Sequence, residues 1–417
     1  MTRIGFAYNQ KPDESAPHAT DGDAAHDDEE PPSRRRDRQS RTSPPSSPGR
    51  APAAGTAGTA LAAPTGGIDD EFAEWDSADT IDAVEHALSA LGTVIRLEAT
   101  ESFPERLRAA RPDIVFNIAE GLYGVNREAH VPAICEFLGF PYSGSDPFTL
   151  SLCLDKARTK EVLAYHGVPT APFALVRDEQ ELDGFLAALR ESTGVVKRRS
   201  SRIGRPVTRL PLFVKPVHEG SSKGITERNL CRTMAEVEEM IPFLLQTYRQ
   251  PVLVEEYLPG AEFTCAVLGN GGAAQVLPIV GMNFDALPDG AAPIYGFEAK
   301  WVWDRPEDPL AIFECPARVS APLQRSIERV ALDTYKALGC RDWSRIDVRL
   351  DAAGAPNVVE VNPLPGILPD PSDNSCFPKA ARAAGIAYDE LIQTCLTLAA
   401  ERHGVPLRAR KARERVA

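Results

Sequence analysis

The chain has 417 residues, of which 43% are hydrophobic and 25% are charged, as expected for a folded protein of about two to four domains. Its 46 Lys and Arg residues against 59 Asp and Glu residues give a net charge of -13. This balance argues against a nucleic-acid partner, because binding to phosphate backbones needs a basic surface. No apolar run reaches the length of a membrane span, and the N-terminus lacks a signal-peptide core. We therefore expect a cytoplasmic protein with no membrane partner.

Eight cysteines are spread along the chain, and no two of them form a Cys-x-x-Cys pair. Several lie in apolar surroundings, such as Cys135 after Ile134 and Cys395 before Leu396. This pattern favours reduced, buried thiols over a disulfide framework or a zinc site.

Residues 3–8 predict a first strand, and the segment that follows differs from it in composition. Between residues 9 and 67 the only large aliphatic side chain is Leu61, and no aromatic residue occurs. Such a segment buries too little apolar surface to offset its conformational entropy. We interpret residues 9–67 as a disordered insertion in an N-terminal domain made of residues 1–8 and 68–150.

Strands and helices alternate after this insertion, which is typical of parallel βαβ units. The helical spacing of Ile81, Val84 and Leu88 predicts a helix over 79–91, which Gly92 can end. The other elements predicted in this domain are strands at 94–97, 114–118 and 141–142 and helices at 103–110 and 131–137. Further along, we predict helices at 156–165, 321–337 and 377–402, strands at 212–215 and 252–256, and an exposed basic loop at 197–209.

A predicted hairpin at 345–362 carries the sharpest local signal. Strand alternation places Asp347 opposite Glu360 if the turn closes symmetrically. The same register places Arg345 opposite Asn362. Two carboxylates and an amide oxygen are hard ligands that suit Mg²⁺ bound together with substrate phosphates. A solvent-facing hairpin with cross-strand Arg–carboxylate pairs explains the pattern equally well, so both interpretations stay open.

A second signal is Lys215, which ends a predicted strand and precedes the Gly/Ser-rich loop 219–224. Small residues let backbone N–H groups approach phosphate oxygens, and the lysine adds fixed positive charge. The spacing fits neither a P-loop nor a Rossmann fingerprint. A simple hairpin turn is the alternative.

A third pattern is the stretch 255–264, in which a strand turns at Pro259-Gly260 with acidic residues on either side. Carboxylates in that place can accept hydrogen bonds from the adenine and ribose of a nucleotide. Ordinary strand-end polarity is the alternative. Lys156 and Lys300 occur as single lysines, which are more often solvated than functional.

The order of these motifs resembles that of the ATP-grasp ligases, and within them that of the D-alanine–D-alanine ligase family. The motifs are Asp155-Lys156-x-x-Thr159-Lys160, Val214-Lys215-Pro216, Glu219-Gly220-Ser221-Ser222-x-Gly224, Glu255…Pro259-Gly260-x-Glu262-Phe263-Thr264 and Arg345-Ile346-Asp347…Glu360-Val361-Asn362-x-x-Pro365-Gly366. The resemblance covers residues 1–8 and roughly 70–404. It implies an α/β and α+β architecture, namely an ATP-grasp fold behind a Rossmann-like N-terminal domain. The implied divisions are a small subdomain at 151–250, a large subdomain at 251–404 and a basic tail at 405–417.

The resemblance also implies an ATP-dependent ligase that joins two small amino acids, D-alanine first, for peptidoglycan precursor synthesis. ATP would phosphorylate the carboxylate of one amino acid, and the amine of the second would attack the acyl phosphate, releasing ADP and phosphate. Two Mg²⁺ ions, replaceable by Mn²⁺, and a homodimer are further implications of the family.

Residue roles follow by position within the matching motifs. The residues implied to hold ATP are Lys156 and Lys215 on the phosphates, Glu219, Gly220, Ser221, Ser222 and Gly224 in the loop over them, Glu255 and the Leu258 backbone on adenine, and Glu262 on ribose. The implied metal ligands are Asp347, Glu360 and Asn362. The implied catalytic residues are Arg345, Lys300 and Ser221. The residues implied to bind the amino-acid substrates are Asp76, Glu120, Gly366 and Ser375.

Four departures from the family pattern fall where the amino acids would bind. Residues 74–77 stand in place of a Gly-Gly-x-Ser-x-Glu loop, and residues 120–127 replace a His-Gly…Gly-Glu-Asp-Gly segment. The loop at 297–301 ends in tryptophan instead of tyrosine, and the segment 367–374 is unusually long. Two alternatives therefore stay open: a ligase for other amino or hydroxy acids in specialised metabolism, and a nucleotide-binding regulator that has lost ligation.

Overall fold

The computed structural model describes residues 1–12, 74–192, 207–304 and 310–407. Most of the predicted insertion lies outside these residues, as do residues 197–206 of the predicted loop and 408–417 of the predicted tail. At the predicted start of the insertion, Asn9 is buried and Gln10 pairs with Asp76. The folded N-terminal domain therefore continues past residue 8, which moves that predicted boundary.

The N-terminal domain is built on a three-stranded parallel sheet of order β2-β1-β3. Its strands are β1 (Arg3–Tyr8), β2 (Thr93–Glu98) and β3 (Ile114–Asn117), and its helices are α1 (Ala78–Ser89), α2 (Phe103–Ala110) and α3 (His130–Leu138). The apolar run of β1 is almost wholly buried, as expected for a central parallel strand covered on both faces. α1 begins after its N-cap Ser77, whose hydroxyl accepts a 3.3 Å hydrogen bond from the Thr80 N–H, so the helix starts one residue before the predicted position 79.

A four-stranded antiparallel sheet of order β4-β7-β5-β6 forms the small subdomain. The elements here are α4 (Pro147–Leu154), α5 (Lys156–Tyr165), β4 (Phe173–Val176), α6 (Glu179–Ser192), β5 (Leu212–Pro216), β6 (Leu230–Cys231), α7 (Met234–Tyr248) and β7 (Val252–Glu256). β7 is an inner strand that pairs with both β4 and β5. The predicted division at residue 250 therefore falls one strand too early, because residues 252–256 complete this sheet.

The large subdomain has a third, antiparallel sheet of order β11-β10-β8-β12-β13, with β9 paired to β8. Its elements are β8 (Glu262–Leu268), β9 (Gln275–Val276), β10 (Val280–Met282), β11 (Phe313–Glu314), α8 (Ala321–Leu338), β12 (Trp343–Leu350), β13 (Pro356–Asn362), α9 (Cys376–Ala383) and α10 (Tyr388–His403). The predicted helix at 377–402 is thus two helices. The chain turns between them at Gly385, whose φ of 81° is in the left-handed region that glycine adopts without strain.

The N-terminal sheet and the third sheet share one hydrophobic core. The Trp343 ring of β12 lies 5.8 Å from the Phe116 ring of β3 and 5.6 Å from the Phe377 ring of α9, measured between centroids. α10 also packs on α1, and the Gln393 side chain donates a 3.0 Å hydrogen bond to the Ala87 carbonyl. The N-terminal domain and the large subdomain therefore pack together over a shared core rather than forming separately folded units.

Two further observations concern the cysteines and the membrane. All eight cysteines are free, and seven of them are buried. Over the ranges that the structure describes, no helix combines the length and apolar character needed to cross a bilayer.

Candidate active site

A cleft with an interior volume of about 330 Å³ lies where the three sheets approach one another. Most of the predicted site residues line it: Asp76, Glu120, Lys215, Glu219, Gly220, Ser221, Ser222, Glu255, Leu258, Glu262, Lys300, Arg345, Asp347, Glu360, Asn362, Gly366 and Ser375. Two predicted residues are not part of the wall. Lys156 lies behind Glu360, and Gly224 ends the 219–224 loop on the side that faces Pro216, away from the cleft wall.

The β12–β13 hairpin has the predicted register at its functional end. Asp347 is paired with Glu360, and Arg345 is paired with Asn362. A bulge follows Asp347 and shifts the pairs beyond it. Because the bulge lies on the turn side, it leaves the two carboxylates side by side at the cleft.

Each carboxylate of this hairpin is held by a nearby donor. Asp347 accepts a 2.9 Å hydrogen bond from the Thr264 hydroxyl and forms a 3.0 Å ion pair with Arg345. Glu360 forms a 2.9 Å ion pair with the Lys156 ammonium. Both carboxylates are therefore oriented before any ligand is considered, which favours a functional site over a solvated hairpin.

Burial affects the pKa values of these two carboxyls in opposite ways. Desolvation raises the pKa of Asp347, and the neighbouring Glu360 charge raises it further. The Arg345 charge lowers this pKa, but the net shift is upward. For Glu360 the same burial is outweighed by Lys156, Lys215 and Arg345, which lower its pKa to about 2. A cation held between the two would offset the cost of burying Asp347 as an anion. The donor set of two carboxylates and the Asn362 amide therefore fits Mg²⁺.

A buried Lys–Glu–Lys cluster lies near the end of β7, beside the cleft. Glu255 on β7 receives the Lys215 ammonium at 2.8 Å on one oxygen and the Lys160 ammonium on the other. Lys215 and Glu255 lie on neighbouring strands, and the two side chains are 3% and 6% exposed. Burial tends to lower the pKa of Lys215, but the Glu255, Glu360 and Glu262 charges together outweigh burial and raise that pKa. The carboxylate predicted to bind adenine thus also helps to keep Lys215 charged.

Sequence reasoning quoted Lys160 in a motif but gave it no role. Lys160 follows Lys156 by one helical turn on α5, and that spacing places both lysines on one face. Its ammonium also donates a 2.5 Å hydrogen bond to the Thr170 hydroxyl. The i, i+4 pair of lysines after an Asp155 N-cap was the signal that could have identified it.

The loop 219–224 has an unusual backbone. Ser221 and Ser222 both have positive φ values, 49° and 63°, which strain side-chain-bearing residues. The Lys223 N–H closes the turn onto the Gly220 carbonyl at 2.9 Å. Gly224 is structural, because a Cβ there would lie 2.8 Å from the Pro216 ring. Two consecutive strained residues in one turn are typical of a ligand-binding loop.

An Arg127–Glu74 pair ties this loop to the N-terminal domain. The Arg127 guanidinium binds both Glu74 oxygens, with distances of 2.9 to 3.1 Å, and donates to the His218 carbonyl at 3.2 Å. A Cβ on Gly220 would lie 2.2 Å from a Glu74 oxygen, so the loop needs glycine at this approach. Sequence reasoning placed both charged residues in departures from the family pattern and did not pair them.

The amino-acid side of the cleft collects carboxyls with raised pKa values. Burial raises the pKa of Asp76 to about 7, although the Lys11 charge opposes the shift. Burial and the Glu128 charge raise the pKa of Glu120 well above its usual range. Both side chains face the cleft, and a cationic ligand would stabilise their ionised forms.

Cationic side chains separate this acidic wall from the hairpin. Burial and the nearby Arg345 charge lower the pKa of Lys300 to about 8. Lys300 belongs to a π-helical turn, Glu298–Trp303, of the kind found at functional sites.

The long segment 367–374 is anchored near its end. The Asn374 amide donates a 2.6 Å hydrogen bond to the Asp304 carboxylate.

Comparison with known proteins agrees with this site. The family model for the D-ala D-ala ligase C-terminus matches residues 163–397, more than half of the chain. The D-alanine–D-alanine ligase of Pelotomaculum thermopropionicum is 32% identical over 79% of this chain and 93% of its own length. The chain belongs to the D-alanine–D-alanine ligase family.

One more relative supports the family assignment, and a solved structure supports the fold. The D-alanine–D-alanine ligase of Cupriavidus pinatubonensis is 33% identical over 72% of this chain and 80% of that protein. The solved D-alanine–D-alanine ligase of Bacillus anthracis, complexed with ATP, is 23% identical and has a TM-score of 0.56, covering 79% of this chain and 96% of that one. This structural likeness confirms the predicted ATP-grasp fold.

Side chains from three of the segments that depart from the D-alanine–D-alanine ligase pattern lie at the cleft. The Glu74–Arg127 pair and Glu120 come from two of these segments, and Leu368 and Asn374 from a third. The hairpin, Lys215 and the 219–224 loop keep the family pattern, and Glu74 approaches that loop at Gly220. The family pattern is therefore kept in the segments predicted to bind phosphates and altered in those predicted to bind amino acids.

Proposed function

We propose that this protein is an ATP-dependent carboxylate–amine ligase that joins two amino acids through an acyl phosphate, with D-alanine as the first amino acid. The observation that carries the proposal is the convergence on one cleft of Lys215, the strained 219–224 loop and the Asp347–Glu360 carboxylate pair. Phosphoryl transfer depends on positioning and charge neutralisation, which these groups supply together. Membership of a ligase family whose role is peptidoglycan precursor synthesis supports the same conclusion.

ATP would lie along the wall formed by β5, β7 and β8. Lys215 is proposed to bind its phosphates under the loop 219–224, with Ser221 at the tip of that loop. Lys156, which was predicted to bind phosphate, is proposed instead to hold Glu360 from behind the cleft wall. Leu258 and Glu262 line the opposite end of the cleft and are proposed to bind adenosine. Glu255 is proposed to act mainly by holding Lys215, since both of its oxygens bind lysines.

Metal ions are proposed to bind between the hairpin and the phosphates. Asp347, Glu360 and Asn362 would hold Mg²⁺, and their oxygens are the hard donors this ion prefers. Bound Mg²⁺ would neutralise phosphate charge during transfer. Arg345 and Lys300 flank the same point and are proposed to stabilise the transferring phosphoryl group and the tetrahedral intermediate.

The amino-acid side is proposed to bind the ammonium and carboxylate groups of the two substrates. Asp76 and Glu120 present the acidic wall, and burial of their carboxyls makes an ammonium a favourable partner. Gly366 and Ser375 line the far end of the cleft and are proposed to anchor the second carboxylate.

A second candidate is a ligase of the same chemistry with other amino or hydroxy acids. The observation in its favour is the Glu74–Arg127 ion pair, which is buried beside the position of the first amino acid. This pair belongs to the segments that depart from the family pattern. It changes which side chains face the substrate while leaving the phosphate wall intact.

The experiment that tests the proposal is phosphate release from Mg-ATP with single amino acids and with pairs, followed by mass identification of the product. D-alanyl-D-alanine as the main product supports the proposal. Release with only a different pair supports the second candidate. Tight ATP binding without release for any pair would contradict both and leave a nucleotide-binding regulator.

A further inference from the structure

Arg349 is a buried arginine at the adenosine end of the cleft to which sequence reasoning gave no role. It lies on β12, two residues after Asp347, and is only 6% exposed. Its guanidinium lies over the Tyr257 ring at 4.8 Å and over the Phe284 ring at 5.2 Å. Both distances are within the range of cation–π attraction, which holds the plane of the guanidinium.

The polar contacts of Arg349 link three separate segments. One terminal nitrogen donates to Glu262 Oε2 at 2.7 Å. The other donates to the Tyr257 hydroxyl at 2.6 Å and to the Pro293 carbonyl at 2.9 Å. Arg349 therefore joins the start of β8, the turn before it and the segment that covers the cleft.

A buried guanidinium is costly unless its charge and its donors are matched. Glu262 supplies the charge, while the buried Nε atom has no hydrogen-bond partner among the described residues. An apolar side chain of similar length would fill the space without this cost. An apolar side chain could not hold the Glu262 carboxylate in one orientation. Without a hydrogen-bond donor, that carboxylate can rotate about its three side-chain torsions.

We propose that Arg349 is a positioning residue that sets how the site discriminates among nucleotides by their ribose hydroxyls. The guanidinium donates a hydrogen bond to Glu262 Oε2. This contact leaves Oε1 to face the cleft, where a ribose hydroxyl can donate a hydrogen bond to it. This inference rests on the proposed function, in which Glu262 binds the ribose of ATP. Burial raises the pKa of Glu262, and the Arg349 charge opposes that rise, so the same contact favours the ionised acceptor.

The test compares ATP with 2′-deoxyATP and 3′-deoxyATP, by titration for binding and by phosphate release for turnover. A hydrogen bond to an ionised acceptor contributes about tenfold or more to affinity, so the wild-type protein should prefer ATP over one deoxy analogue by about that factor. In R349M this preference should fall to within about twofold. The R349M change should raise the KM for ATP by a larger factor than it lowers kcat, because Arg349 acts through the ribose contact.

Three further variants make the result specific. E262Q should lose the same preference, and R349K should keep part of it, since lysine retains the charge but not the two-nitrogen fork. R329M, on the exposed face of α8, should behave as wild type. Thermal unfolding checks that each variant is folded. If R349M is not folded, the nucleotide preferences of R349K and E262Q are compared with that of the wild-type protein instead.

The outcomes separate the two proposals. R349M that keeps the wild-type preference overturns the role of Arg349 and leaves the ligase function standing. Wild-type protein that binds ATP and both analogues equally also overturns it, because Glu262 then does not read a ribose hydroxyl. A wild-type protein that does not bind ATP at all contradicts the proposed function itself, and the inference falls with it.

Discussion

The two sides of the cleft are built in different ways. On the phosphate side, Lys215, Glu255, Asp347 and Glu360 project from paired strands, and each ionic group has an oppositely charged partner within 3.0 Å. On the amino-acid side, Asp76 and Glu120 come from segments outside the strands and carry raised pKa values. The charged groups on the proposed phosphate side are held by ionic partners within the protein, and Asp347 keeps a raised pKa in spite of its partner. On the proposed amino-acid side, a cationic ligand would stabilise the ionised forms of Asp76 and Glu120.

This difference predicts that variants on the phosphate side will act on the chemical step or on folding, and that variants on the amino-acid side will act on substrate binding. The expected effects below run from the largest to the smallest.

Glu360→Gln should lower kcat by about 10²- to 10³-fold or more, because it removes the proposed metal ligand and leaves Lys156 without its ionic partner. Steady-state phosphate release measures the effect. Asp333→Asn, an exposed carboxylate on α8, is the matched control and should retain activity. Wild-type turnover by the Glu360 variant would show that the hairpin carboxylates are not part of the reaction.

Lys160→Met should destabilise the protein by about 3–5 kcal/mol, because removing one partner from a buried ionic cluster leaves the rest uncompensated. Denaturant unfolding measures the change. Lys336→Met on α8 is the surface control. A change below about 1 kcal/mol would mean that Lys215 alone satisfies Glu255.

The pH dependence should divide between the two sides. Asp76 is neutral below its pKa of about 7 and becomes a carboxylate above it, so the KM for the first amino acid should fall as pH rises through 7. Lys300 loses its proton above about pH 8, so kcat should decline there. Asp76→Asn should remove the pH dependence of KM and leave that of kcat, and Lys300→Arg should shift the decline in kcat to higher pH. If either variant changed the pH dependence of both KM and kcat, the assignment of the two residues to different sides of the cleft would be contradicted.

Arg127→Gln should raise the KM for amino acids or ATP by about tenfold with a smaller effect on kcat, because it frees Glu74 and the His218 carbonyl from one guanidinium. Arg127→Lys should recover only part of the loss, since lysine lacks the bidentate fork. An unchanged KM in both variants would show that the loop is positioned by its own turn.

Replacing residues 14–72 with a short Gly/Ser linker should have the smallest effect, within about twofold on kcat and KM. The joined ends are close, because the Lys11 N–H donates to the Asp76 carbonyl at 2.9 Å. A large loss of folding or activity would show that this segment is part of the catalytic unit.

Sequence reasoning predicted the phosphate side best because strand periodicity fixes which side chains share a face. The Asp347–Glu360 register was predicted from alternation and a symmetric turn, and the structure has it. The helices predicted at 103–110 and 156–165 also have those bounds in the structure. The ATP-grasp fold followed from the order of the motifs.

What sequence reasoning missed depends on contacts between distant segments. Arg127 binds Glu74 across 53 residues, and Arg349 binds Glu262 across 87. The subdomain boundary was set too early, because the sequence does not show which sheet takes β7. Lys160 was given no role, because its spacing from Lys156 shows a shared helix face but not the distant partner, Glu255, that it binds.

The most direct test of the account is the fate of carboxylate oxygen. We would supply D-alanine labelled with ¹⁸O in its carboxylate, together with Mg-ATP, and analyse the released phosphate by mass. If the carboxylate attacks the γ-phosphorus and an amine then displaces phosphate from the acyl carbon, each phosphate carries one ¹⁸O atom. That is the result the account predicts. Phosphate released without label would mean that water attacks ATP directly, and the ligase assignment would be wrong.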